Sequence, residues 1–326
     1  YSSMYYRYKK NSFNLKAGLY LNTVKYGIQN VYFNRKNSIF PLVNMEYSIT
    51  NSGEFDFSYS GENDIPRIHQ ILTFPTILSF DRIQSGNQPL TLPTRHNFNL
   101  DYNYQSLIHQ FSLRSINSFS LTTNPLAQNV SYNGISRKSE VYNENRNAQF
   151  FRSRLRLEKD FYRHYLLLSF SYRKSERTQT ISNEKVTNSR NVISPEIEYR
   201  FNIRDTLETE ISLSHTTNFF NRGGIDIISR SYRLNTSIEY FIFEDVNINF
   251  SYSLDYFRGN SDNLRHYLNS EVTYRPQFGK FGISMKAYNI LNNRVNLINY
   301  SDELIYSETR DFSMPRYFML SLSYDI

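Results

Sequence analysis

Six histidines, His69, His96, His109, His164, His215 and His266, are the side chains of this sequence that titrate nearest neutral pH. None is paired with another at a metal-binding spacing, and without cysteine there is no soft-metal site. His215 and His266 fall on the apolar register of period-two segments. A phospholipase working from within a membrane would place a histidine there, beside a serine and a polar orienting group. No hydrolase motif accompanies either one, so both are expected to be interfacial residues. Gly223-Gly224 and Gly86-Asn87 lack the strand-to-helix context of a phosphate loop or dinucleotide fingerprint and are expected to be turns.

Arg152, Arg154 and Arg156 share one face of a segment whose other face carries Phe151, Leu155 and Leu157. Such a basic ladder can contact an anionic substrate or an internal plug. Alternatively, it can pair with Glu196, Glu198, Glu208, Glu210 and Glu239, which share its register, and pairing is the ordinary fate of confined charges. Either way the arginines must point away from lipid, because Arg at a bilayer midplane costs about 2–4 kcal/mol.

The elements that would position these groups are strands. Val246, Ile248, Phe250, Tyr252, Leu254 and Tyr256 alternate with Asn247, Asn249, Ser251, Ser253 and Asp255. Segments beginning at Ile193, Leu207 and Tyr232 repeat the pattern. About fifteen strands are expected, near 2–9, 12–26, 38–50, 54–62, 95–105, 108–121, 146–158, 164–176, 190–203, 207–219, 230–242, 246–258, 265–275, 281–290 and 315–326. Many run for about ten residues or more, where soluble strands average about five or six and a tilted membrane strand needs about nine to eleven.

The gaps alternate. Asn51-Ser52-Gly53, Arg204-Asp205-Thr206, Phe243-Glu244-Asp245 and Pro276 to Lys280 are short, whereas 63–94, 122–145, 177–189, 220–229 and 291–314 are long. Short turns on one side and long loops on the other are the habit of outer-membrane barrels. The long loops hold the freedom for recognition. The first carries Pro66, Pro75, Pro89 and Pro93, the second is rich in Asn and Ser, and the last holds Asp302, Glu303, Glu308 and Asp311, an acidic set suited to a cation or to plain solvation.

Composition agrees. Only 39% of residues are apolar, yet 16% are aromatic, with 28 Tyr and 25 Phe. A disordered chain would be poor in aromatics, and a globular one would need more core. A barrel uses aromatics as interfacial girdles and keeps its interior polar. No stretch is long and apolar enough for a transmembrane helix. The net charge of +7 is scattered, which argues against nucleic acid. The absence of Cys fits a compartment where stray disulfides would be a hazard. No charged-then-apolar leader opens the sequence, and an odd strand number does not close a bacterial barrel. The leader and further strands are therefore expected outside residues 1–326.

Three stretches carry a family resemblance. Phe318, Leu320, Leu322, Tyr324 and Ile326 form an apolar face resembling the C-terminal β-signal read by the outer-membrane assembly machinery, with Ile326 where many such proteins end in an aromatic residue. Met285-Lys286-Ala287-Tyr288-Asn289-Ile290-Leu291-Asn292-Asn293 resembles the "N-L-x-N/D" element before the last loop of TonB-dependent receptors. Pro66-Arg67-Ile68-His69-Gln70-Ile71, followed by Gly86-Asn87-Gln88-Pro89-Leu90, Pro93 and His96-Asn97, is similar to the Bacteroidetes branch of that family.

The resemblance implies an all-β transmembrane antiparallel barrel in the outer membrane of a Gram-negative bacterium. The chain would be its C-terminal portion, with about fifteen of about twenty-two strands and without the plug. It implies import of a nutrient (a metal chelate, a saccharide or a peptide) with no cofactor and no covalent chemistry. The implied partners are lipid, lipopolysaccharide, the assembly machinery, TonB acting through the plug, and a surface lipoprotein. A passive porin, an adhesin-like barrel and a barrel phospholipase are the alternatives.

Overall fold

The computed structural model describes every residue except 1, 29–30, 51, 72–73, 87–89, 135, 204–205, 244, 260–262, 277–279, 294, 302–305, 313 and 325–326. Several of the expected tight turns (Asn51, Arg204, Asp205, Glu244) thus lie outside the described residues, as do Asn87, Asp302, Glu303 and Ile326.

Fifteen strands make one antiparallel meander, each hydrogen-bonded to the next along the path. They are β1 (Ser2–Lys10), β2 (Phe13–Ile28), β3 (Val31–Thr50), β4 (Gly53–Asn63), β7 (Thr94–Ser106), β8 (Phe111–Thr123), β11 (Ala148–Phe161), β12 (His164–Ile181), β13 (Glu184–Ile203), β14 (Leu207–Arg222), β15 (Ile225–Phe243), β16 (Val246–Arg258), β17 (Asn263–Tyr274), β18 (Phe281–Tyr288) and β21 (Tyr317–Tyr324). β1 and β21 are its two edges, and no pairing joins them among the described residues. The remaining strands are β5 (Thr76–Ser79), β6 (Arg82–Ser85), β9 (Leu126–Asn133), β10 (Ser136–Asn143), β19 (Val295–Ser301) and β20 (Tyr306–Phe312), which form hairpins inside the long connections. The one described helix, α1 (Ile68–Ile71), is a single turn.

Alternation assigns the two faces. Directly opposed residues share a face, and one such row runs Leu113, Leu157, Leu168, Ile197, Leu213, Leu234 and Leu254 across seven strands. Leu168, Ile197, Leu213 and the neighbouring Phe250 are 39–48% exposed, a profile no globular core would tolerate. The row is also staggered. Leu113 lies two residues from Phe111 at the start of β8, whereas Leu254 lies eight from Val246 at the start of β16. A stagger that accumulates from strand to strand is the shear that tilted barrel strands require.

Rings bound this apolar face at both ends. Near the short connections His164 stacks on Phe201 at 4.7 Å, and Phe281 meets Tyr324 at 4.8 Å. Toward the long connections His215, Tyr232 and Tyr256 form a row with centroids 4.3 and 5.9 Å apart. Within the band three polar exceptions satisfy one another: Ser153 Oγ donates to Asn117 Oδ1 at 2.7 Å, and Asn117 Nδ2 donates to Ser115 Oγ at 3.0 Å.

Two expected long loops are not loops. Residues 177–189 and 220–229 continue as paired strand and turn at Ser182-Asn183 (φ 49° and 69°) and at Gly223-Gly224 (φ 54° and 90°). Positive φ at both central residues is the hairpin geometry that matches strand twist. Alternation fades here because both faces of the ribbon are wet, while the backbone ladder continues. The described residues of 122–145 and 291–314 likewise include the β9–β10 and β19–β20 strand pairs.

One substitution pair tests the face assignment. In lipid vesicles Leu213→Arg is expected to lower the unfolding free energy by about 2–4 kcal/mol, while Ser212→Arg, one residue away on the polar face, changes it by less than about 1 kcal/mol. Denaturant titration of both variants measures this, and equal penalties would contradict the assignment.

Candidate functional site: the polar face and the long-connection lobe

The polar face carries the charges. Register places Arg152 opposite Arg173 on β12, and Arg156 opposite Arg114 on β8. Like charges directly opposed across strands destabilise a sheet, so the three-arginine ladder is part of a five-arginine patch spread over three strands. All five side chains are exposed. Sequence reading missed Arg114 and Arg173 because register, not spacing, brings them in.

Four of the five carboxylates expected to neutralise the ladder are otherwise engaged; Glu208 lies opposite Glu239 and Asn202. Glu198 and Glu210 hold Arg200 at 2.6 and 3.2 Å. Glu196 accepts from Ser169 at 3.3 Å, and Glu239 accepts from Asn247. Arg156 pairs with Glu158 on its own strand. Arg114, Arg152, Arg154 and Arg173 have no ion pair or side-chain hydrogen bond among the described residues. Arg233, by contrast, is bound by Asp255 at 2.7 Å, and Lys286 by Glu271 at 2.8 Å.

The resemblance motifs turn out to close the long connections. Asn289 sits at φ 49°, a conformation asparagine adopts more readily than most residues. Its Nδ2 donates to the carbonyls of Asn293 at 2.8 Å and Met314 at 2.9 Å, and its Oδ1 accepts from the Asn293 N–H at 2.9 Å. One buried side chain thus ties both ends of the last connection, at about 1 kcal/mol per bond. Gln70 caps the α1 turn by accepting from the Arg67 N–H at 2.7 Å. Asn143 imitates a strand neighbour to Thr91, accepting from its N–H at 2.7 Å and donating to its carbonyl at 2.8 Å. In the terminal motif Phe318, Leu320, Leu322 and Tyr324 lie on the apolar face, 54–76% exposed.

The hairpins at the long-connection end share a small core, with Leu92, Val130 and Val141 at most 1% exposed. β6 pairs in parallel with β10, and β9 with the tip of β12. Glu144, 2% exposed, locks this lobe: it binds Lys185 Nζ at 2.9 Å and accepts from the Asn145 N–H at 2.9 Å and from the Tyr142 hydroxyl at 3.1 Å. Burial pushes its pKa up, but the bonds from Lys185, the Arg146 N–H and Tyr142 outweigh burial and hold it below the ordinary carboxylate value.

The histidines are dispersed. His96 bonds Tyr59 at 2.8 Å, His164 bonds Tyr199 at 2.6 Å, and His215 bonds Thr217 at 2.7 Å. The partners of His215 are Thr217 and Tyr232, not the serine and asparagine a hydrolase would need. Among the described residues no group of three potential metal ligands comes together. The expected acids of the last connection do not form a described site: Asp302 and Glu303 lie outside the described residues, and for Glu308 and Asp311 the backbone alone is placed, on β20.

No family model and no curated protein matches the sequence. The chain is similar to several solved structures. With the Pseudomonas putida toluene transporter TodX it shares 9% identity over 97% of this chain and 91% of that one, at a TM-score of 0.30. With a Pseudomonas aeruginosa FadL homologue the values are 10%, 96% and 88%, at 0.34. With OmpT, an outer membrane protein of Vibrio cholerae, they are 8%, 97% and 98%, at 0.33. Likeness at this level transfers neither an activity nor a ligand.

The Glu144 lock has a pH signature. A carboxyl whose folded pKa lies below its unfolded value contributes stability above that unfolded value, about 4.3, and loses it as pH falls through the folded one. Hydrogen-exchange protection of β9 and β10 is expected to hold at pH 6 and to fall at pH 3, whereas Glu144→Gln should be less protected at pH 6 and largely indifferent to pH. Equal protection of the parent at both pH values would contradict the lock.

Proposed function

We propose that this chain is wall and surface lobe of an outer-membrane transport barrel. Its apolar face meets lipid and lipopolysaccharide, its short connections lie in the periplasm, and its structured ribbons face outward. The observation that carries this reading is the staggered row of exposed aliphatic residues, bounded by rings and backed by a charged, hydrogen-bonded face. Such a sheet is soluble only in a bilayer on one side and in water on the other.

The finer reading is a TonB-dependent importer of a nutrient, whose plug would occupy the lumen and couple to TonB, with a surface lipoprotein above the lobe. What supports it is the placement of the resemblance motifs: Asn289 and Gln70 sit within or at the base of long connections, and the terminal strand presents an apolar face resembling the pattern the assembly machinery reads. A non-enzymatic role is supported by the scattered histidines and by the partners of His215.

The test needs no ligand. The full-length protein, taken from outer membranes and placed in a planar bilayer, is expected to be electrically quiet, because a gated barrel is closed at rest. A steady, ohmic conductance would instead make it a passive pore. Recovery in the soluble fraction would overturn the membrane reading altogether.

A further inference from the structure

We infer that the arginine patch on β8, β11 and β12 is a binding site on the lumen wall for a solute carrying several oxyanion groups, phosphate or carboxylate. The inference rests on the barrel reading and adds to it a ligand class.

Three observations converge. Arg114, Arg152, Arg154 and Arg173 have no counter-charge among the described residues, whereas Arg156 is paired with Glu158. Among the described residues, the polar-face glutamates from β13 to β17 each have a charged or polar partner, except Glu184 and Glu208. At Arg152–Arg173 and Arg156–Arg114 register sets like charges directly opposite, as it does for acids at Asp56–Asp101 and Glu208–Glu239, and such a pair is costly unless a counter-ion lies between its members. Local choices that conflict with stability mark functional places in an otherwise consistent sequence.

Geometry narrows the ligand. Alternate residues of a strand are about 6.6 Å apart, and opposed side chains about 5 Å apart. A single anion therefore reaches one or two guanidinium groups on an open wall, whereas a solute with oxyanions at comparable spacing engages several at once. Guanidinium forks suit carboxylate and phosphate alike through paired N–H donors.

The probes are tripolyphosphate and citrate, titrated calorimetrically into the full-length protein in detergent. Saturable binding that weakens as salt is raised is expected. The double variant Arg152→Gln/Arg154→Gln should weaken it about tenfold or more, while Arg152→Lys/Arg154→Lys, which keeps the charge and loses the fork, should weaken it less. Because the double variant relieves repulsion, its denaturation midpoint should rise or stay level. Arg233→Gln, which breaks the pair with Asp255, should lower the midpoint and leave binding unchanged.

Preference for tripolyphosphate over citrate would assign a phosphorylated solute, and the reverse a polycarboxylate. A folded protein, shown by a heat-dependent band shift on semi-native gels, that binds neither probe overturns the anion site alone. So does a double variant that binds as well as the parent, or one that loses stability as a structural ion-pair partner would. A protein that stays folded and soluble without detergent overturns the barrel reading and this inference together.

Discussion

A backbone N–H or C=O that faces lipid cannot be left unpaired, and the structure is organised around that constraint. The meander from β1 to β21 pairs each strand with its neighbours, so the ladder carries the backbone while side chains are free to be apolar on one face and polar on the other. The apolar share can then be low, because the bilayer replaces a core. The described buried hydrophobic residues are few, and several, including Leu90, Leu92, Val130 and Val141, belong to the lobe at the long-connection end, where water is on both sides.

The lobe and the wall are held by different physics. In the wall, long-range pairing and the apolar rows fix register. In the lobe, side chains replace missing ladder bonds: Asn289, Asn143 and Gln70 each satisfy backbone groups that no strand reaches. Glu144 adds a buried charge that is stable because every direction around it offers a donor. The long connections thus present a shaped surface rather than loose chain.

Much of the wall was legible in the sequence because its face-to-face contrast is written residue by residue. Val246 to Tyr256 reads as a strand with one wet face, and all fifteen expected strands exist near their expected positions. Where both faces are wet the signal vanishes, so the ribbons around Ser182 and Gly223 read as loops although their ladders are continuous. The ladder Arg152, Arg154 and Arg156 was visible from spacing, but its companions Arg114 and Arg173 appear only through register, which couples residues far apart in the chain. The lock at Glu144 had no sequence signal, because its charged partner, Lys185, lies 41 residues away in the chain. The motif around Asn289 was recognisable as a pattern, while its reason, a positive φ and three side-chain bonds, is purely structural.

The central claim is that alternate residues of these strands face lipid. Because the chain has no cysteine, single cysteines at successive positions from Ile248 to Leu254 each give a unique label site. A fluorophore there, in vesicles containing brominated lipid, should be quenched strongly at Ile248, Phe250, Tyr252 and Leu254. Water-soluble quenchers should act at Asn249, Ser251 and Ser253. A period-two pattern in antiphase between the two quenchers is the predicted result; uniform quenching by the water-soluble agent at every position would contradict the account.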